Sequence, residues 1–202
     1  METQKRFRLR FTYIKANRLA HLSHLEITRA LERAVRRADL PFGVSQGFSP
    51  HMLLSFGGAL PVGVGSECEI FDVMLKDYMK PEVALQKMQT VMPKDLMVTK
   101  AELVGIKAPA ASNAFSTSVY VATYDGDISD FEVPETIEVV RKKKLKTLNV
   151  DDYLVEMPTI EGQTIKCTLQ IGQSGSLRID KLLDSFNIET PLLAITRTEQ
   201  FV

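Results

Sequence analysis

The sequence predicts an α+β protein of two tandem ferredoxin-like (βαββαβ) halves, each an antiparallel sheet with its helices on one face. Three observations predict it. Residues 6–13 alternate strictly between apolar and polar, a capped amphipathic helix follows them, and the order of strands and helices reads β-α-β-β-α-β before starting again beyond an Ala/Ser-rich stretch.

The opening strand places Phe7, Leu9, Phe11 and Tyr13 on one face and Arg6, Arg8, Arg10 and Thr12 on the other. Ser23 with Glu26 three residues later forms a capping box, and Ile27, Leu31, Ala34, Val35 and Ala38 recur at helical spacing, so a helix is predicted over 24–38. Leu40-Pro41 ends it, because the residue before proline avoids helical geometry. A Gly/Ser/Pro-rich connection at 43–50, a strand near 52–56, a glycine-rich turn at 57–66 and a strand near 67–75 come next. Pro81 opens a second helix bearing Val83, Ala84, Met88 and Val91 on one side, and 96–104 reads as a strand. These elements complete the first half, residues 1–105. Residues 106–116 carry Ala, Ser and Pro109 without periodicity and read as a linker. The second half, 117–202, repeats the plan less regularly. It has a strand at 117–124, an acidic, poorly helical stretch at 125–135, and strands around 137–146, 152–157 and 164–171. A short helix over 176–186 and a strand over 192–201 close it.

Composition narrows the class. At 202 residues with 45% apolar content the chain can bury a core without staples. Cys68 and Cys167 have neither metal nor disulfide spacing, which fits a reducing compartment. No apolar run reaches the roughly 20 residues that cross a bilayer, and the start METQKRFRLRF lacks the apolar stretch of a secretory signal, so no membrane role and a cytoplasmic location are expected. Net charge is zero, yet residues 1–60 hold 10 Lys/Arg against 4 Asp/Glu, and residues 61–202 hold 15 against 21. Cations concentrated in this way point to an anionic partner such as RNA or a phosphorylated ligand, because phosphate contacts supply most sequence-independent affinity for nucleic acids.

Four groups of residues are candidates for function. With Phe7, Leu9 and Phe11 under the helices, Arg6, Arg8 and Arg10 are expected on the open sheet face, a platform for phosphate contact with single-stranded RNA. His24 at the helix start and Gln46 and His51 beyond it add a polar cluster beside free helix N–H groups. His21, His24 and His51 form the alternative, a metal-independent endoribonuclease using imidazoles as general acid and base. No carboxylate or thiol stands with them at ligand spacing, so no metal site is predicted. Arg141-Lys-Lys-Lys-Leu-Lys146 is a cationic run on a predicted strand, with Arg141, Lys142, Lys143 and Lys144 as phosphate contacts. Gly172-Gln-Ser-Gly-Ser176 lacks the Lys-Ser/Thr of a P-loop and reads as a turn with a helix cap. Arg29, Arg33 and Arg36 form a stripe opposite the apolar side of the first helix, a solvated or partner-docking surface.

The runs Arg6-Phe-Arg-Leu-Arg-Phe11, Leu22-Ser-His-Leu25, Leu31-Glu-Arg-Ala-Val-Arg-Arg-Ala38, Ser45-Gln-Gly-Phe-Ser-Pro-His51, Ser55-Phe-Gly57 and Ala59-Leu-Pro-Val-Gly63 together resemble the uncharacterised radical-SAM-linked bacterial domain. Ser174-Gly-Ser-Leu-Arg178 and Ile195-Thr-Arg-Thr-Glu199 fit its C-terminal end. The resemblance implies an accessory factor for a radical-SAM enzyme, acting on RNA as a non-catalytic binding module, or as a protein–protein adaptor for that enzyme. It also implies that the iron–sulfur cluster and S-adenosylmethionine belong to the partner. This chain itself lacks the Cys-x-x-x-Cys-x-x-Cys that would hold the cluster.

Overall fold

The computed structural model describes residues 6–141, 143–172 and 175–202. They form an α+β protein whose strand pairs are antiparallel and whose chain divides into two compact units, Met1–Phe115 and Ser116–Val202.

Unit 1 runs β1 (Phe7–Lys15), α1 (His24–Arg37), β2 (Leu54–Phe56), β3 (Val64–Leu75), α2 (Pro81–Gln89) and β4 (Val98–Val104). The sheet order is β2-β3-β1-β4. Phe11 pairs with Phe71 on one side and Ala101 on the other, and Leu9 with Val73 and Leu103. The alternation of β1 therefore has its expected result: Leu9, Phe11 and Tyr13 are buried. They meet Ile27, Leu31 and Val35 from α1 and Ala84 and Met88 from α2 in one core. Phe71 stacks between Phe11 and Phe56, with ring centroids 5.1 and 6.1 Å away. Burying an aliphatic or aromatic side chain of this size contributes about 1.5–3 kcal/mol. The capping box closes as read. Glu26 accepts from the Ser23 N–H at 2.8 Å and from its hydroxyl at 2.7 Å, and these bonds hold the Glu26 carboxyl below the usual carboxylate range.

The segment read as a linker is instead part of unit 1. Across the second face of the sheet, register brings Ser55, Asp72, Arg10 and Glu102 into one row. Residues 106–115 lie on that row through their main chain. Arg8 donates to the carbonyls of Ile106 (2.9 Å) and Ala108 (2.7 Å), Arg10 donates to that of Pro109 (2.9 Å), and Asp72 accepts the Ala111 N–H (2.8 Å). Ala111 and Ala114 are buried with Ile70, and Phe115 packs against them.

Unit 2 contains β5 (Thr117–Tyr124), β6 (Thr136–Arg141), β7 (Lys144–Asn149), β8 (Thr159–Glu161), β9 (Thr164–Gly172), β10 (Gly175–Ser176), α3 (Ile179–Asp184) and β11 (Leu192–Phe201). The pairing order is β10-β9-β5-β11, with β8 also on β9. This differs from the expected repeat of unit 1 in two ways. The acidic stretch before Thr136 forms no helix, which leaves α3 as the one α-helix among the described residues of the unit. The predicted single strand at 137–146 folds back on itself as a β6–β7 hairpin, Arg141 opposite Lys144, with Lys143 at a φ of 64°. Ile165, Cys167, Leu169, Ile179, Leu182 and Phe186 are buried in this unit. No helix among the described residues is long and apolar enough to cross a membrane.

Candidate functional site

The three arginines that the sequence placed on the opening strand have three different environments. Arg8 is held by main-chain carbonyls. Arg10 forms a two-point ion pair with Asp72, Nε to Oδ1 at 2.7 Å and Nη2 to Oδ2 at 3.0 Å, and only 11% of its side chain and 3% of that of Asp72 is exposed. Asp72's hydrogen bond raises the pKa of the Arg10 guanidinium, burial opposes the rise, and the charges of Asp72 and Glu102 add to it. Neither Arg8 nor Arg10 faces an open sheet. Arg6, one residue before β1, is exposed and has no side-chain partner among the described residues.

Arg6 lines a groove of about 720 Å³ together with Gln46, Lys76, Lys87, Asp39 and Asp77. Lys76 is likewise exposed and without a side-chain partner, whereas Lys87 lies 3.8 Å from Asp39 in an exposed pair that contributes little. Sequence reading missed both lysines, since neither sits in a cationic run.

Gln46 begins a loop whose ends are clasped. The Ser45 N–H donates to the His51 carbonyl at 2.8 Å, the His51 N–H donates to Ser45 Oγ at 3.1 Å, and that Oγ lies 2.8 Å from His51 Nδ1. Val44 and Met52 bridge just outside, and Gly47 takes a φ of 144° that favours glycine. Phe48 stands at the tip, fully exposed.

The three histidines each have a different neighbour. His51 is committed to the loop clasp, His24 packs edge-on against Phe56 at 5.7 Å, and His21 lies beside Gly63, whose N–H bonds to the Ala20 carbonyl. Ser45 Oγ and His51 Nδ1 are close enough for a nucleophile and base, but among the described residues no third group orients the imidazole. No group of three or more His, Cys, Asp or Glu among the described residues could hold a metal ion. Both cysteines are free. Burial pushes the Cys167 thiol up to about 12, so it is no nucleophile.

In unit 2 the cationic run forms the end of the β6–β7 hairpin. Lys143, Lys144 and Lys146 are exposed, and among the described residues they have no side-chain partner. Arg141 lies in β6 opposite Lys144, and Lys142 falls outside the described residues. On the other face of the hairpin Val140 and Leu145 form an apolar cross-strand pair that is 73% and 63% exposed. Of the turn at 172–176, Gly172 pairs with Gly175, while Gln173 and Ser174 lie outside the described residues. Helix α3 is capped at Arg178, which makes two bonds to Asp180 rather than capping with its side chain. The helix arginines Arg29, Arg33 and Arg36 are exposed on α1, with Arg36 over the Phe42 ring at 5.3 Å.

The model of a family described as "Uncharacterized protein conserved in bacteria (DUF2344)" matches residues 8–179. No curated protein matches the chain.

Proposed function

The chain belongs to this uncharacterised bacterial family, and from that premise we propose that it is a non-catalytic RNA-binding accessory module that works in the cytoplasm with a radical-SAM enzyme, in RNA modification or processing. The iron–sulfur cluster and S-adenosylmethionine are then the partner's. We also read unit 1 as a ferredoxin-like half, a frequent RNA-binding frame. Its β-α-β-β-α-β order and its strand order β2-β3-β1-β4 support this.

The observation that carries the RNA reading is the β6–β7 hairpin: three exposed lysines, unpaired among the described residues, at the end of a two-stranded ribbon. A cation already paired to a carboxylate gains little from phosphate, because it must exchange one anion for another. Free cations at the exposed end of a ribbon release counterions when they meet a phosphate backbone.

The test is RNA affinity measured against salt. Wild-type protein is expected to bind pooled cellular RNA with log K falling linearly against log[KCl]. Replacing Lys143, Lys144 and Lys146 together by Ala lowers that slope by about 2, at roughly 0.7 per single-strand phosphate contact. Binding that ignores salt, or a triple variant with the wild-type slope, overturns the assignment. Recovery of a radical-SAM protein with the tagged full chain, persisting after ribonuclease treatment, tests the partnership.

A further inference from the structure

We propose that unit 1 carries a single-strand nucleotide site of its own, in which the groove beside Arg6 takes the phosphate and Phe48 stacks on an unpaired base. This rests on the RNA-binding reading and names the form of RNA recognised.

Two independent features converge on the site. The first is the groove. Its volume of about 720 Å³ is of the size that holds a small ligand, about 300–1,000 Å³. Arg6 and Lys76 each stand one residue beyond the last pair of β1 and β3, Phe7 with Leu75, so both unpaired cations leave the sheet at the same end. The opposing carboxylates are Asp39, already beside Lys87, and Asp77.

The second feature is the clasped loop. A phenylalanine held fully in water gains nothing from its position in the folded chain. Three hydrogen bonds between Ser45 and His51 and the Val44–Met52 bridge nevertheless fix the turn that presents it. Fixing a contact residue in advance removes part of the ordering cost of binding. Gln46 joins the two features. It lines the groove, lies two residues from Phe48, and its amide offers both a donor and an acceptor to a base edge. A positively charged groove next to an aromatic side chain is the pairing that single-strand sites use. In a duplex the base faces are already stacked, so Phe48 has nothing to take.

The experiment compares the full chain with its Phe48→Ala and Phe48→Trp variants. The probe is an eight-nucleotide RNA carrying 2-aminopurine, used alone and annealed to its complement. Wild type is expected to prefer the single strand and to change the probe's fluorescence. Phe48→Ala should lose roughly 5- to 150-fold in single-strand affinity, the range for one base–aromatic stack, with the salt slope unchanged. Phe48→Trp should retain the wild-type affinity. Because the side chain packs against nothing, folding does not confound the result. If Phe48→Ala binds the single strand like wild type while the hairpin lysines still matter, the site falls and the RNA-binding assignment stands. Equal affinity for the duplex also overturns the site, as does loss of a protein partner by Phe48→Ala with RNA affinity intact. A wild-type chain that binds neither RNA removes both readings together.

Discussion

Asp72→Ala is expected to destabilise the protein by about 3 kcal/mol, the lower end of the range for breaking a buried ion pair, because Arg10 keeps some access to water. Asp72 serves two partners at once. It makes two bonds to Arg10, and the same carboxylate accepts the Ala111 N–H at 2.8 Å. Removing it leaves a guanidinium without its counter-charge and a buried amide without an acceptor, and each of these costs more than the bond itself contributes. Asp72→Asn keeps an acceptor but loses the charge, and should fall between wild type and Asp72→Ala. Arg6→Ala, four residues before Arg10 and just outside β1, should stay within about 0.5 kcal/mol of wild type, as exposed substitutions do. Urea denaturation followed by far-UV circular dichroism reads all three. If Asp72→Ala matches Arg6→Ala, then residues 106–115 are not anchored by this row.

Raising the pH from 8 to 11 is expected to cost roughly 3 kcal/mol more in wild type than in Cys167→Ala. Cys167 is 1% exposed, and burial pushes its thiol up to about 12, against about 8.5 in an unfolded chain. Between those values the folded state keeps a proton that the unfolded state gives up. Stability is therefore full below pH 8.5 and falls as pH rises, by up to 1.36 kcal/mol per unit. Tyr124 acts in the same direction at higher pH. Its phenol is pushed up to about 12, first by burial and then by the charges of Cys167 and Asp184. Urea midpoints at pH 8, 9.5 and 11 give the slopes. Equal slopes in wild type and Cys167→Ala would mean that the thiol ionises as freely in the folded chain as in the unfolded one.

The parts of the fold written in local chemistry were legible before any coordinates. The alternation of residues 7–13 gave the buried face of β1, and the Ser23/Glu26 pair gave the start of α1. What stayed hidden was recognition through the main chain. Residues 106–115 are gripped by their carbonyls and by the Ala111 N–H, groups that every residue carries, so their sequence shows nothing of the grip. The same blindness made Arg8 and Arg10 look like surface cations. The hairpin in unit 2 was read as one strand because its turn has no Gly or Asn. Lys143 takes the left-handed conformation instead, which few non-glycine residues adopt. Of the candidate site, the sequence reading put Arg6 on the sheet face and Gln46 in a separate cluster beside the helix start. The groove joins them, but Lys76 reaches it through the register of β1 and β3, which no short window of sequence displays. Phe48 had a signal, an aromatic residue inside a Gly/Ser/Pro connection, where no core is available to receive it.

The hold on residues 106–115 also sets where sequence drift is tolerated. Ile106, Ala108 and Pro109 offer only carbonyl oxygens to Arg8 and Arg10, so their side chains are interchangeable as long as the chain follows the same path. The specificity is one-sided. Arg8, Arg10 and Asp72 supply the shaped, charged half of the contact, and a lysine at Arg10 could not reproduce the two parallel bonds to Asp72. Random substitution across unit 1 should therefore leave a plain-looking, permissive stretch at 106–109, ahead of the buried Ala111 and Ala114, opposite three positions that accept almost nothing else, with the permissive stretch no less part of the fold.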